Sequence, residues 1–155
     1  MKVQGLDGTS WKITDVPVSE VKSRRSRAFK QVREKSPHAL LFFTSSAIFY
    51  MLGGWMSATE RPVCCIVKDD GSCYMMVPKL EEEYCATVGK GVNGIFSYDE
   101  YPGKHHPMEL LGDILHSLGL HNKTLVADRN GYPAIMGYRG PKLSEVCPDA
   151  QIIVE

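Results

Sequence analysis

The sequence predicts an α/β sandwich, with helices packed on a sheet of mixed strand direction, and three observations carry that prediction. Short apolar runs of strand length alternate along the chain with stretches whose apolar residues recur at helical spacing. Residues 39–43, Ala-Leu-Leu-Phe-Phe, are apolar without a break, the pattern of a strand covered on both faces. Asp70-Gly71 lies between two β-rich runs, 62–68 and 73–78, and Asp-Gly in that position marks an antiparallel hairpin. That reversed strand makes the sheet mixed.

The elements follow in order. Residues 1–16 are polar with scattered apolar positions and predict an irregular or short β lead-in. Pro17 and Ser19 open a helix, with Ser19 as N-cap and Glu20 in the first turn, where a negative charge favours the helix dipole. Val18, Val21, Ala28, Phe29 and Val32 give it one apolar stripe, and Ser36-Pro37 ends it. After the strand at 39–43, a helical turn over 46–52 runs into Gly53-Gly54. The hairpin at 62–78 leads to a helix from Glu81 to about Val88 with acids in its first turn. A strand at 94–98 precedes a helix at 108–118, whose Leu110, Leu111, Ile114, Leu115 and Leu118 share one face and whose stop is Gly119. A strand at 124–128, a helix at 132–138, a helical turn at 142–146 and a strand at 151–154 complete the series.

Bulk properties bound the function. A chain of 155 residues with 43% apolar and 23% charged residues is one ordinary globular domain, large enough for a sizeable core. Lys plus Arg number 18 and Asp plus Glu number 18, so no global field favours nucleic acid or an anionic membrane. No apolar run approaches the roughly 18–20 residues of a membrane span, and the first residues lack the apolar core of a secretory signal. Five cysteines, odd in number and without a Cys-x-x-Cys pair, argue against a disulfide framework or zinc ribbon. Buried, reduced thiols in a cytoplasmic protein are the expectation.

Two clusters invite a chemical reading. His105-His106 with Glu109 has donor types suited to a metal, but adjacent histidines between Gly103 and Pro107 predict solvated loop residues. His116 and His121 fall at or past a helix end, where a cation favours the dipole. The helix over 22–35 carries Lys22, Arg24, Arg25, Arg27, Lys30, Arg33 and Lys35, a charge run suited to phosphates. Without interleaved aromatics, a solvated face is the better expectation, and nucleic acid binding the lesser one.

Several segments, taken in order, resemble the amino-terminal domain of the creatinase, aminopeptidase P and prolidase (Xaa-Pro dipeptidase) family. They are Val16-Pro17 with Glu20, the arginine-bearing first helix, Tyr50-Met51-Leu52-Gly53, Arg61-Pro62, Val77-Pro78 followed by Glu81, and the closing Leu143, Val146, Pro148, Ala150 and Ile152. The chain departs from the family pattern at Ala47, where asparagine is usual, and at Met51, where leucine is usual.

The resemblance implies a three-layer α-β-α sandwich over residues 17–155, with a mixed, mostly parallel sheet of about six strands. It also implies a non-catalytic domain that serves subunit association and shapes a substrate pocket. Its partners would be a carboxy-terminal "pita-bread" catalytic domain, expected beyond this chain, and a second copy in a homodimer. The metal pair of such an enzyme, Mn, Co or Zn, belongs to that catalytic domain, so neither catalytic nor metal-binding residues are expected here. For substrate contact the resemblance points to Tyr50, Trp55 as an apolar wall, and Arg61 as a carboxylate clamp. The alternative is a free-standing, non-catalytic binding module of the same fold.

Overall fold

A computed structural model describes residues 2–4, 10–12, 15–57, 59–99, 105–132 and 140–155. In the lead-in, β1 (Lys2–Gln4) and β2 (Ser10–Lys12) pair antiparallel, Val3 opposite Trp11.

Helix α1 spans Val18–Gln31 and is capped by Pro17, whose extended backbone (φ −71°, ψ 150°) sets the entry without a side-chain bond. The expectation of Ser19 as N-cap is therefore corrected. The fixed φ of proline already provides the non-helical residue, and Ser19 falls inside the first turn. After a 3-10 turn at Arg33–Lys35, Ser36 takes a left-handed conformation (φ 47°) and donates its N–H to Arg33 O, turning the chain before Pro37.

Strand β3 (Ala39–Phe42) leads into α2 (Ser45–Leu52). Gly53 closes α2 at φ 71° and donates to Phe49 O. Here glycine is required twice over, because a Cβ would also lie 2.9 Å from Val21 Cγ2 on α1. Strands β4 (Cys64–Lys68) and β5 (Cys73–Pro78) form the hairpin. Its turn closes with Gly71 N–H to Lys68 O, Gly71 at φ 85°, and Asp70 Oδ1 accepting from Ser72 N. A 3-10 turn at Lys79–Glu81 opens α3 (Glu82–Val88), followed by β6 (Gly94–Tyr98) and α4 (Pro107–Ser117). Strand β7 (Thr124–Ala127), α5 (Leu143–Val146) and β8 (Gln151–Val154) complete the fold. The helix expected at 132–138 falls almost wholly on 133–139, outside the described residues.

The six-stranded sheet has the order β6-β5-β4-β3-β7-β8. Only β4 runs against its neighbours; β5/β6, β3/β7 and β7/β8 pair parallel. Alternation along the strands divides the core in two. Leu40, Cys65, Val67, Cys73, Met75 and Val77 face α1, α2 and α3. Ala39, Leu41, Phe43, Cys64, Ile66 and Met76 face α4 and α5. Helices on both faces of a mixed, mostly parallel sheet make the expected α-β-α sandwich.

Candidate functional site

In open α/β sheets, ligands settle outside the carboxyl ends of strands, where successive connections leave on opposite faces. Here that point lies between the parallel neighbours β3 and β7. The first runs into α2 on one face, and the next described element after the second is α5 on the other. Asp128, just past β7, accepts hydrogen bonds from Phe43 N (2.9 Å), Thr44 N (3.0 Å) and Thr44 Oγ1 (2.8 Å). Its carboxylate thus ties the end of β7 to the residues that join β3 to α2. No feature of the sequence singles out Asp128, because its partners lie about 85 residues away.

Tyr50, Trp55 and Arg61 are held by different elements. Tyr50 is 42% exposed on α2 and engaged with α1. The Arg24 guanidinium sits 4.9 Å from its ring centroid, and Arg27 Nη2 donates to its hydroxyl at 3.4 Å. Trp55 is 51% exposed. Its indole N–H donates to Ser57 Oγ (2.9 Å), and its ring meets Phe49 at 5.9 Å between centroids. In the loop before β4, Arg61 donates its backbone N–H to Thr59 Oγ1, and its Nε lies 3.8 Å from Glu60 Oε1. Leu80 and Tyr84 add exposed apolar surface at the start of α3.

The basic helix is not a solvated charge face throughout, which corrects that expectation. Arg25 is 2% exposed. It donates Nε to Met51 O (3.0 Å), Nη1 to Gly91 O (2.8 Å) and Nη2 to Lys90 O (2.8 Å). It thus satisfies carbonyls of α2 and of the loop after α3, which a helix end leaves without partners. Arg24 and Arg27 share Glu20 Oε1, whose carboxyl their hydrogen bonds hold below its usual range. Within one basic run, three arginines are engaged inside the domain.

His105 is an exposed loop residue as expected, but His106 is not. His106 is the N-cap of α4: its Nδ1 accepts from Met108 N (3.1 Å) and Glu109 Oε2 accepts from His106 N (2.9 Å). Partial burial lowers its pKa, against the raising influence of Glu109. His105 Nε2 lies 3.1 Å from Asp113 Oδ2. The rings of His116 and His121 stack 4.3 Å apart. Among the described residues, no group of three or more His, Cys, Asp or Glu side chains is arranged to hold a metal ion.

All five cysteines are free and buried. Burial pushes the thiol of Cys64 well above its ordinary value and that of Cys85 up to about 12; for Cys65 the hydrogen bond shared with Cys73 adds to burial. Protonated thiols of this kind are core residues, not nucleophiles. No helix among the described residues is long and apolar enough to cross a membrane.

These features define an α/β domain with a polar-clamped core, an aromatic rim and a carboxylate that bridges β7 to the β3–α2 junction. The Creatinase/Prolidase N-terminal domain family model matches residues 24–153, and the chain belongs to that family. Solved structures share the fold. The creatinase/prolidase N-terminal domain of an X-Pro dipeptidase from Streptococcus pyogenes is 18% identical at a TM-score of 0.62, with 86% of this chain and 93% of that one covered. An Xaa-Pro dipeptidase from Bacillus anthracis is 15% identical (TM-score 0.62), and a dipeptidase from Mycobacterium ulcerans 14% (TM-score 0.64). The match covers 89% and 91% of this chain but only 33% and 36% of those two. No curated protein sequence matches the chain.

Proposed function

We propose that this is a non-catalytic amino-terminal domain of an Xaa-Pro peptidase of the prolidase or aminopeptidase P kind, serving subunit association and substrate-pocket shaping. The observation that supports this reading is the family match over residues 24–153, made by a domain that corresponds to about a third of longer dipeptidases of the same fold. In this reading the domain packs against a carboxy-terminal catalytic domain and against a second copy in a homodimer. A divalent metal pair held by the catalytic domain would supply an activated water for cleavage of the Xaa-Pro bond. The residues described here bind and orient.

Arg61 places a guanidinium beside the hairpin entry, suited to a bidentate bond with a substrate carboxylate, and Trp55 offers an apolar wall. Loss of one hydrogen bond to a charged group costs about 1.5–3 kcal/mol. Arg61→Ala in the whole protein is therefore expected to raise KM for an Xaa-Pro dipeptide by roughly 10- to 100-fold, with kcat and the circular dichroism spectrum unchanged. Unaltered kinetics would remove Arg61 from the pocket. A coding sequence that stops directly after Glu155 would overturn the peptidase reading itself.

A further inference from the structure

A groove of about 410 Å³ runs between α1 and α2, within the size range of small-molecule sites. Its floor is apolar: Ala28 on α1, Phe42 at the end of β3, and Ala47 and Met51 on α2. Met51 is 4% exposed, and the other three are partly buried. Two alanines on facing helices leave the space open, and Ala47 stands where the family resemblance leads one to expect the larger asparagine.

The rim is polar and carries a single sign of charge. Arg27, Gln31, Ser46 and Tyr50 line it, and among the described residues no acidic side chain does. Arg27 presents five N–H donors in a fixed fork. Its bonds run from Nη1 to Ser23 Oγ (2.8 Å) and from Nη2 to Glu20 Oε1 (3.1 Å) and Tyr50 Oη (3.4 Å). That leaves its Nε–H and one Nη1–H without a protein acceptor among the described residues. The Gln31 amide and the Ser46 hydroxyl likewise have no side-chain partner among the described residues. An apolar floor edged by a few convergent polar groups is the usual make-up of a small-ligand site.

We propose that this groove binds a small apolar carboxylate, with its hydrocarbon body on Ala28, Phe42, Ala47 and Met51 and its carboxylate on Arg27. A single cation, already shared with Glu20, suits a monoanion better than a phosphate dianion. Its two spare N–H groups, on Nε and Nη1, lie on different edges of the guanidinium, so a carboxylate oxygen takes one of them in a single charge-assisted hydrogen bond. Gln31 and Ser46 stand ready to bond the same group or a neighbouring amide. A free acid and the carboxy-terminal residue of a peptide share this chemistry. The inference does not depend on the peptidase reading, because the 155-residue chain should bind by itself.

The test is a titration of the ¹⁵N-labelled chain with N-acetyl-leucine, with its uncharged amide N-acetyl-leucinamide, and with a peptide ending in leucine. The acid is expected to shift the amides of Ala28, Ala47 and Met51, and the leucinamide to bind at least tenfold more weakly. Arg27→Gln, on an exposed helical surface, should lose the same factor, and Ala47→Leu should abolish binding by filling the floor. Tighter binding of the peptide than of the acid would assign the site to peptide termini; the reverse would assign it to free acids. Equal affinity for acid and amide, shifts centred elsewhere, unchanged binding in a folded Arg27→Gln, or no shift at millimolar ligand would each overturn the proposal.

Discussion

The two helical layers that enclose the sheet are built on different principles. The α4–α5 layer is an apolar seam: Met108, Leu111, Ile114 and Leu115, none more than 3% exposed, interlock with Leu41, Ile66 and Leu125. A capping box begins α4, and its outward face is histidine and acid. The α1–α2–α3 layer buries apolar groups too, but a buried cation knits its parts together. Arg25 reaches from α1 to the carbonyl end of α2 and to the loop before β6. Short helices such as α2 and α3, of eight and seven residues, expose a large share of unpaired backbone for their length. A layer made of such pieces needs a polar clamp, whereas an eleven-residue helix with a continuous apolar stripe does not.

This contrast predicts which substitution hurts most. Arg25→Met keeps much of the side-chain volume but leaves three inward carbonyls without a donor. It should cost about 3–5 kcal/mol, read from the urea midpoint. Arg25→Lys should recover less than half of that, because an ammonium cannot present the guanidinium fork to three acceptors. In the other layer, Leu111→Ala removes buried hydrocarbon and leaves a cavity, for about 3 kcal/mol. A loss from Leu111→Ala larger than that from Arg25→Met would reverse the view of which layer depends on a single residue.

The same contrast explains what could be read from the chain. Where the signal is local, the expectation and the structure agree. The unbroken run at 39–43 gives a doubly covered strand, Asp70-Gly71 gives the hairpin, and the leucine spacing at 108–118 gives α4 on the apolar face. Where the determinant is a distant partner, the chain is silent. Arg25 looks like its neighbours Arg24 and Arg27 in a basic run, and nothing local says that its acceptors are Met51, Lys90 and Gly91. Asp128 reads as the end of a strand, although it bonds the start of α2. His106 next to Pro107 reads as loop, because proline is recognised as a first-turn residue more readily than histidine as a cap. The resemblance supplied Tyr50, Trp55 and Arg61 as a set. The structure seats them on α2, beyond its end, and in the loop before β4, each with neighbours of its own.

A smaller effect tests the α4 layer alone. The cap requires His106 Nδ1 to accept from Met108 N, so the imidazole must lack its proton there. Burial lowers the folded-state pKa below the ordinary value of about 6.5, while the unfolded chain keeps that value. Between the two, the unfolded state binds more protons, so stability rises with pH through this window. The contribution is fully present above about 6.5 and is lost as pH falls toward the folded-state pKa. His105 and Glu109 lie beside it, so the comparison must be with His106→Asn, which keeps an acceptor at the cap and cannot protonate. The difference in urea midpoint between the parent chain and His106→Asn should therefore change sharply just below about pH 6.5 and stay flat above it. A flat difference from pH 5 to 8 would show that the cap does not sense protons.

The smallest stability change should come from the aromatic rim of the clamped layer. Trp55 is half exposed, its indole N–H is bonded only two residues away, and its ring leans on Phe49, itself exposed. Little apolar surface is withdrawn from water by that arrangement, so Trp55→Ala should move folding stability by about 0.5 kcal/mol or less. A large side chain that contributes so little to its own domain is suited to a surface that becomes buried in a larger assembly, where tryptophan is over-represented among residues that dominate binding. Sedimentation of the whole protein separates the two roles. Under the proposed function, Trp55→Ala should weaken domain or subunit association by tenfold or more at nearly unchanged urea midpoint. A destabilisation of several kcal/mol would instead show that the rim is part of the core, and the two layers would then differ less than their exposed surfaces suggest.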